Sequence, residues 1–137
     1  MDIIFSANNR YEVLQLPIVP EGQEWEAPHK NESFDTVQHG ELNLIGLSGL
    51  TTLNISSFFP NKPYTFAKSG VMGQYCVDFF DKIKRNREPV RIVIISKRGY
   101  ELLNILVTIE SFSWGIDRAG DFPYKLDLKE YKQAVVT

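Results

Sequence analysis

The residues able to do chemistry in this 137-residue chain are few and scattered. Histidine occurs twice, at His29 and His39, each in a polar stretch without a partner at metal-ligand spacing, so both read as solvated loop residues. The single cysteine, Cys76, falls on the apolar face of a helical pattern, where a thiol behaves as a small buried hydrophobe with little thiolate character. One cysteine allows no internal disulfide and no Cys-rich zinc site. Ser48 sits between Gly46 and Gly49 like the serine of a nucleophile elbow, but G-x-S-x-G needs a glycine where this chain has Leu50. Asp127 and Glu130 are close in sequence, yet an offset of three puts them on opposite faces of a pleated strand. The acidic residues Glu21, Glu24, Glu26 and Glu32 lack the Asp/Asn ladder and glycine of a calcium loop. Neither GxxxxGK[ST] nor GxGxxG occurs to cradle a phosphate. No catalytic residue, no metal ligand and no cofactor is expected.

What remains is charge. The net charge of −2 conceals a segregation: residues 1–60 carry eight acidic and two basic side chains, net −6, while residues 82–98 carry seven basic and one acidic, net +6. Such a chain either neutralises itself internally or pairs acidic and basic patches between subunits, and heterologous contacts of the second kind close into rings. The basic stretch 82–98 also supports an alternative, a small β-barrel module that neutralises nucleic-acid phosphates. Against it, the stretch mixes a helix end with a buried strand, no aromatics interleave with its cations, and the pI is about 5.7.

The elements that must position these side chains are mostly strands. Residues 2–6 and 11–20 are strand-like around the polar Asn8-Asn9 and read as a hairpin or an extended arm. Residues 21–33 read as an acidic loop whose only large apolar group is Trp25. Residues 34–47 and 50–58 look like antiparallel neighbours, with Leu53 and Ile55 on one face of the second. Pro60 and Pro63 break regular structure. Cys76, Phe79, Phe80 and Ile83 fall at i, i+3, i+4 and i+7, which predicts one amphipathic helix over about 74–87. A buried strand over 90–95, a turn at Lys97-Arg98-Gly99, a longer strand over 102–112 and a half-wet strand over 122–131 complete the pattern. About seven short strands and one helix imply a mainly β fold, a β-sandwich or partly closed barrel with the amphipathic α-helix packed on it.

Length fits one domain, and 43% apolar with 23% charged residues suits a folded protein. Nine Phe, six Tyr and two Trp supply bulk for a small core. No apolar run approaches the ~18 residues of a membrane span, and the start lacks the charge-then-apolar pattern of a secretory leader. The expected location is the cytoplasm, unless the chain leaves as part of a particle.

Several blocks, IFSANNR at 4–10, VLQLPIVP at 13–20, GELNLIG at 40–46, ISSFFP at 55–60, VTIESFSW at 107–114 and GDFPYKLDLKEYK at 120–132, carry a resemblance over nearly the whole chain. It resembles the N-terminal domain of the LysM-containing tail and baseplate protein family (XkdP-like, PBSX-type) of contractile phages, defective prophages and tailocins of Gram-positive bacteria. The resemblance implies a tail-tube-like β domain over 1–137 and a non-enzymatic structural protein, the tube initiator or hub adaptor at the junction of tail tube and baseplate. Its partners would be itself, in a hexameric ring, the tail tube protein, and the hub and spike proteins of the baseplate. No membrane is implied, and nucleic acid enters only as cargo of the lumen. The location would be the virion or a phage-tail-like particle assembled in the bacterial host cytoplasm. Family members usually continue into a LysM domain, whereas this chain ends at Thr137 with no LysM segment. Subunit contacts are expected from Val13, Leu14, Leu16, Ile18 and Trp25, and from the basic Lys84, Arg85 and Arg87.

Overall fold

Apolar residues recur at every second position through several segments, and an antiparallel sheet is what puts such residues on one face. The computed structural model describes residues 1–7, 12–27, 32–36, 40–44 and 49–132. The strands are β1 (Asp2–Ala7), β2 (Glu12–Gln15), β3 (Trp25–Glu26), β4 (Glu32–Thr36), β5 (Gly40–Leu44) and β6 (Thr52–Phe59). The helix α1 (Gly73–Asn86) follows, then β7 (Val90–Ile95), β8 (Glu101–Trp114) and β9 (Phe122–Glu130). Seven strands form one antiparallel sheet in the order β2-β1-β7-β8-β9-β6-β3, while β4 and β5 pair only with each other.

The inward face of the sheet carries Ile3 and Phe5 of β1, Leu53 and Ile55 of β6, Ile92 and Ile94 of β7, and Tyr124, Leu126 and Leu128 of β9. Register keeps these sets level: Ile3 faces Ile94, Phe5 faces Ile92, and Ile55 faces Leu126. Against them lie Cys76, Val77, Phe79, Phe80 and Ile83 of α1, so the helix fills the hollow of the sheet. Burying each large side chain of this set contributes about 1.5–3 kcal/mol. A register shift between Ile109 and Ser111 changes which parity of β8 faces inward. Val107 is buried before it and Phe112 packs on the core after it.

The hollow is closed by irregular chain rather than by an eighth strand. After β2 the backbone continues through buried Leu16 and Ile18, and the Ser57 hydroxyl of β6 donates to the Ile18 carbonyl at 3.3 Å. The Lys68 N–H donates to Pro17 at 2.7 Å, and the Gln23 amide donates to the Asn54 carbonyl at 2.7 Å. Of the two expected architectures the partly closed barrel is therefore the one observed, mainly β with a single amphipathic helix.

Two expectations change. The described residues contain nine strands rather than about seven, because the acidic loop hides β3, and where one strand was expected β4 and β5 pair with each other. The antiparallel pairing expected between 34–47 and 50–58 is not found among the described residues: β4 and β5 pair with each other, and β6 pairs with β9 and β3. The alternation of β9 offers eight matched positions along β6, and the apolar sets of both then face α1.

Helix ends fix how α1 sits. At its start Gly73 donates to the Pro60 carbonyl at 2.7 Å, and a Cβ there would come within 2.7 Å of the Phe122 ring. At its end Arg87 takes the left-handed conformation, φ 55°, where glycine is the usual residue. Inside, the Tyr124 hydroxyl has no hydrogen-bond partner, and burial pushes its phenol well above the ordinary tyrosine range.

Two substitutions test this packing by urea unfolding. Gly73→Ala should lower stability by about 1–3 kcal/mol, because the Phe122 ring and the Asn61 side-chain amide, itself bonded to the Gly120 carbonyl, would both have to shift. Tyr124→Phe should leave stability unchanged or raise it by about 1 kcal/mol, because it deletes a buried donor that bonds to nothing. A clear loss in Tyr124→Phe would show that the hydroxyl is satisfied.

Candidate assembly surface

The chemically capable side chains resolve into structural roles. Cys76 is fully buried under the sheet, and burial pushes its thiol up to about 12, so at neutral pH it carries no thiolate. Asp127 accepts a hydrogen bond from the Ser111 hydroxyl at 2.5 Å, whereas Glu130 accepts one from the Thr51 N–H at 3.0 Å. The two acids thus serve different neighbours. His29, His39 and Ser48 lie outside the described residues. Among the described residues no three His, Cys, Asp or Glu side chains gather as a metal site, and no helix is long and apolar enough to cross a membrane.

Among the described residues two open clefts can be outlined. One, of about 730 Å³, lies between residues 22–26 and residues 52–54 of β6. The other, of about 480 Å³, is bounded by Ser56, Ser113, Trp114 and Lys125. The residues lining them do not pair a nucleophile with a histidine, and both clefts are shallow.

The residues expected at subunit contacts divide into two groups. Leu14, Leu16 and Ile18 are buried in this chain's own core, because the segment that carries them closes the barrel. Val13, on the same strand but the opposite face, is 52% exposed. Trp25 is 36% exposed on β3, and Lys84, Arg85 and Arg87 are exposed at the C-terminal end of α1. Arg85 is ion-paired with Asp81 one turn earlier. Such an exposed pair contributes little to stability.

The basic stretch does not form one patch. Lys84, Arg85 and Arg87 stand where α1 ends, and Lys97 and Arg98 stand in the turn after β7. Six residues of β7 hold the groups about 17 Å apart. Between them Arg91 donates to the Asn104 side chain at 2.8 Å. Lys82 pairs with Glu12 of β2 at 2.6 Å, and that carboxylate raises the lysine's pKa.

One polar cluster had no signature in the sequence. The Tyr64 hydroxyl donates to Asp121, which also accepts from the Asn61 N–H at 2.9 Å, while the Asn61 amide donates to the Gly120 carbonyl at 2.6 Å. Asp117 Oδ1 accepts from the N–H groups of Ala119 and Asp121, and Gly120 takes a positive φ of 84° to complete the turn. The run Asp117 to Asp121 signals a turn, but nothing in it signals a partner 57 residues away. The cluster ties the β8–β9 turn to the segment leading toward α1.

No known protein-family profile matches the chain. A curated protein, the uncharacterized protein YqbP of Bacillus subtilis (strain 168), is 31% identical over 125 residues, 88% of this chain. The chain spans about half, 55%, of that relative's length. Among solved structures, a chain from the virion of a native gene transfer agent particle superposes with a TM-score of 0.60 and 11% identity, over 96% of this chain and 92% of that one. A chain from the tail of an empty gene transfer agent particle, resolved with C6 symmetry, gives 0.54 at 14% identity over 99% and 95%. A chain from the sheath–tube complex of an extracellular contractile injection system, in its extended state, gives 0.51 at 15% identity over 97% and 88%. At these identities what is shared is the fold, a curled antiparallel sheet with one helix.

The Asp121 cluster predicts a pH response. The Tyr64 hydroxyl, then the Asn61 N–H, hold the Asp121 carboxyl below the usual carboxylate range, against the opposing pull of desolvation. A depressed pKa in the fold means a contribution complete above the unfolded value of about 4 and lost as pH falls through the lower folded value. Asp121→Asn should therefore lower stability at neutral pH and flatten the acid limb below about pH 4. Parallel limbs in urea titrations of the two proteins would exclude Asp121 as a source of that limb.

Proposed function

We propose that this protein is a non-enzymatic structural subunit of a contractile tail, the tube initiator or hub adaptor that joins the tail tube to the baseplate hub. The observation that carries the reading is the match of sheet and helix to chains of three tail-like particles over at least 88% of each. The blocks that resemble the LysM-containing, PBSX-type tail and baseplate proteins favour the baseplate end. Residues 1–137 act as one tail-tube-like β domain, and no chemical step is involved.

Function is then assembly. Six copies, the symmetry of the gene transfer agent tail, close a ring that seats the tube on one side and the hub and spike proteins on the other. The particle is a virion or a tailocin built in the host cytoplasm, and nucleic acid meets the protein only as cargo of the lumen. The alternative, a nucleic-acid-binding module, loses its main support because β7 divides the cations into two groups at opposite ends of a strand.

Peptide mass spectrometry on density-purified contractile particles from induced source cells tests the reading. About six copies per particle, against a large excess of tube protein, is the expected count for one ring. Absence of the chain from particles that contain tube and hub proteins would sink it.

A further inference from the structure

Two surface features stand out from the rest of the fold. The first is the sheet edge at β3, a two-residue strand that among the described residues pairs only with β6, and on which Trp25 is exposed. Glu24 and Glu26 flank it, Glu21 lies close by, and all three carboxylates are exposed. Trp25, Glu24 and Glu26 form one wall of the 730 Å³ cleft, the indole on the face it shares with Leu53 and the two carboxylates on the opposite face of the edge. The second feature is the end of α1. Arg87 holds a left-handed conformation that would cost least as glycine, and with exposed Lys84 and Arg85 it makes a cationic knob. Among the described residues neither Lys84, Arg87 nor any of the three glutamates belongs to an ion pair.

The register places both features at the same level along the strands. Val90, which follows the helix end, faces Val107, Val107 faces Glu130, Glu130 bonds to Thr51, and Thr52 faces Glu26. Four strand spacings separate β7 from β3, about 19 Å along the sheet. Among the described residues the two patches make no ion pair with each other within one copy.

We infer that the Trp25 edge and the Lys84–Arg87 helix end are the two halves of one head-to-tail contact between copies of this chain. The Arg87 guanidinium lies on the indole face, and the carboxylates of residues 21, 24 and 26 meet Lys84 and Arg85. The halves are different surfaces, so the contact is heterologous and head-to-tail, the kind that builds a ring where the rotation closes. The contact rests on the ring reading above and names its partner surfaces.

Carbodiimide coupling tests it, because the reagent condenses a carboxylate with an amine, releasing water to the reagent, only where the two already touch. Lys82 and Glu12, at 2.6 Å, are the built-in positive control within one copy. The expected product is an amide between Lys84 and Glu21, Glu24 or Glu26 that joins two copies, in purified particles or in the concentrated protein. It should vanish in high salt, and Arg87→Gly should reduce it at least about tenfold while melting no lower than the parent. Glu24→Lys/Glu26→Lys and Lys84→Glu/Arg87→Glu should each stop self-association, and an equal mixture of the two should restore it. Control coupling at Lys82 without any joined copies, or variants that associate like the parent, would overturn the inference. Chain present in particles but never coupled there leaves the tail reading standing and removes this contact. Coupled copies from a chain absent from particles would do the reverse.

Discussion

The ring of Phe80 on α1 meets Phe5 of β1 edge-on at 4.9 Å, stacks on Phe59 of β6 at 5.9 Å and reaches Phe112 of β8 at 5.7 Å. One helical side chain therefore touches three strands that are not neighbours in the sheet, which can happen only if the sheet curls around it. Phe59 in turn stacks on Tyr124 of β9 at 3.9 Å. The aromatic cluster thus sets the curvature of the sheet and the depth of the helix together. The position of the exposed helix end follows from it, since a helix pinned at Phe80 and crowded at Gly73 has little freedom to shift along its axis.

The lower rim of the barrel depends on the register shift in β8. Without the extra residue between Ile109 and Ser111, Phe112 would point away from Phe80 and Phe59, and the aromatic cluster would lose a wall. The same shift brings Trp114 opposite Tyr124 and onto Phe122, 5.2 Å between ring centres. From there the chain turns through Gly115, whose N–H bonds to the Pro123 carbonyl at 2.9 Å, and Asp121 fastens the turn to Asn61 and Tyr64. Apolar packing above and a hydrogen-bonded clasp below hold one end of the sheet against the helix start.

Local pattern was legible in the sequence and partnership was not. The helix expected over about 74–87 is Gly73–Asn86, because Cys76, Phe79, Phe80 and Ile83 repeat with helical spacing and Pro89 lies just beyond. The closing strand was equally plain, since Tyr124, Leu126 and Leu128 alternate with charged residues. By contrast, the pairing of β6 with β9 joins residues more than sixty positions apart, and no turn between them records it. Leu14, Leu16 and Ile18 look like an apolar arm until the barrel is closed, when the same three side chains become its seal. Trp25 looked like a loop residue because two residues of strand leave no alternation to detect.

The filled interior decides where this protein can act. A sheet that curled around empty space would offer a pocket, but here Phe79, Phe80, Ile83 and the buried Cys76 occupy the hollow. Most of the described charged side chains lie on the outside of the sheet, at its edges and at the helix end. The sequence carries that charge as a contrast between an acidic first half and a basic stretch. The fold converts it into geometry: β7 separates one basic group from another, Glu12 draws off Lys82, and Lys84 and Arg87 at the helix end stay unpaired with Glu24 and Glu26 at the β3 edge. Opposite charges that face outward and make no pair with each other within one copy are available to a complementary surface alongside.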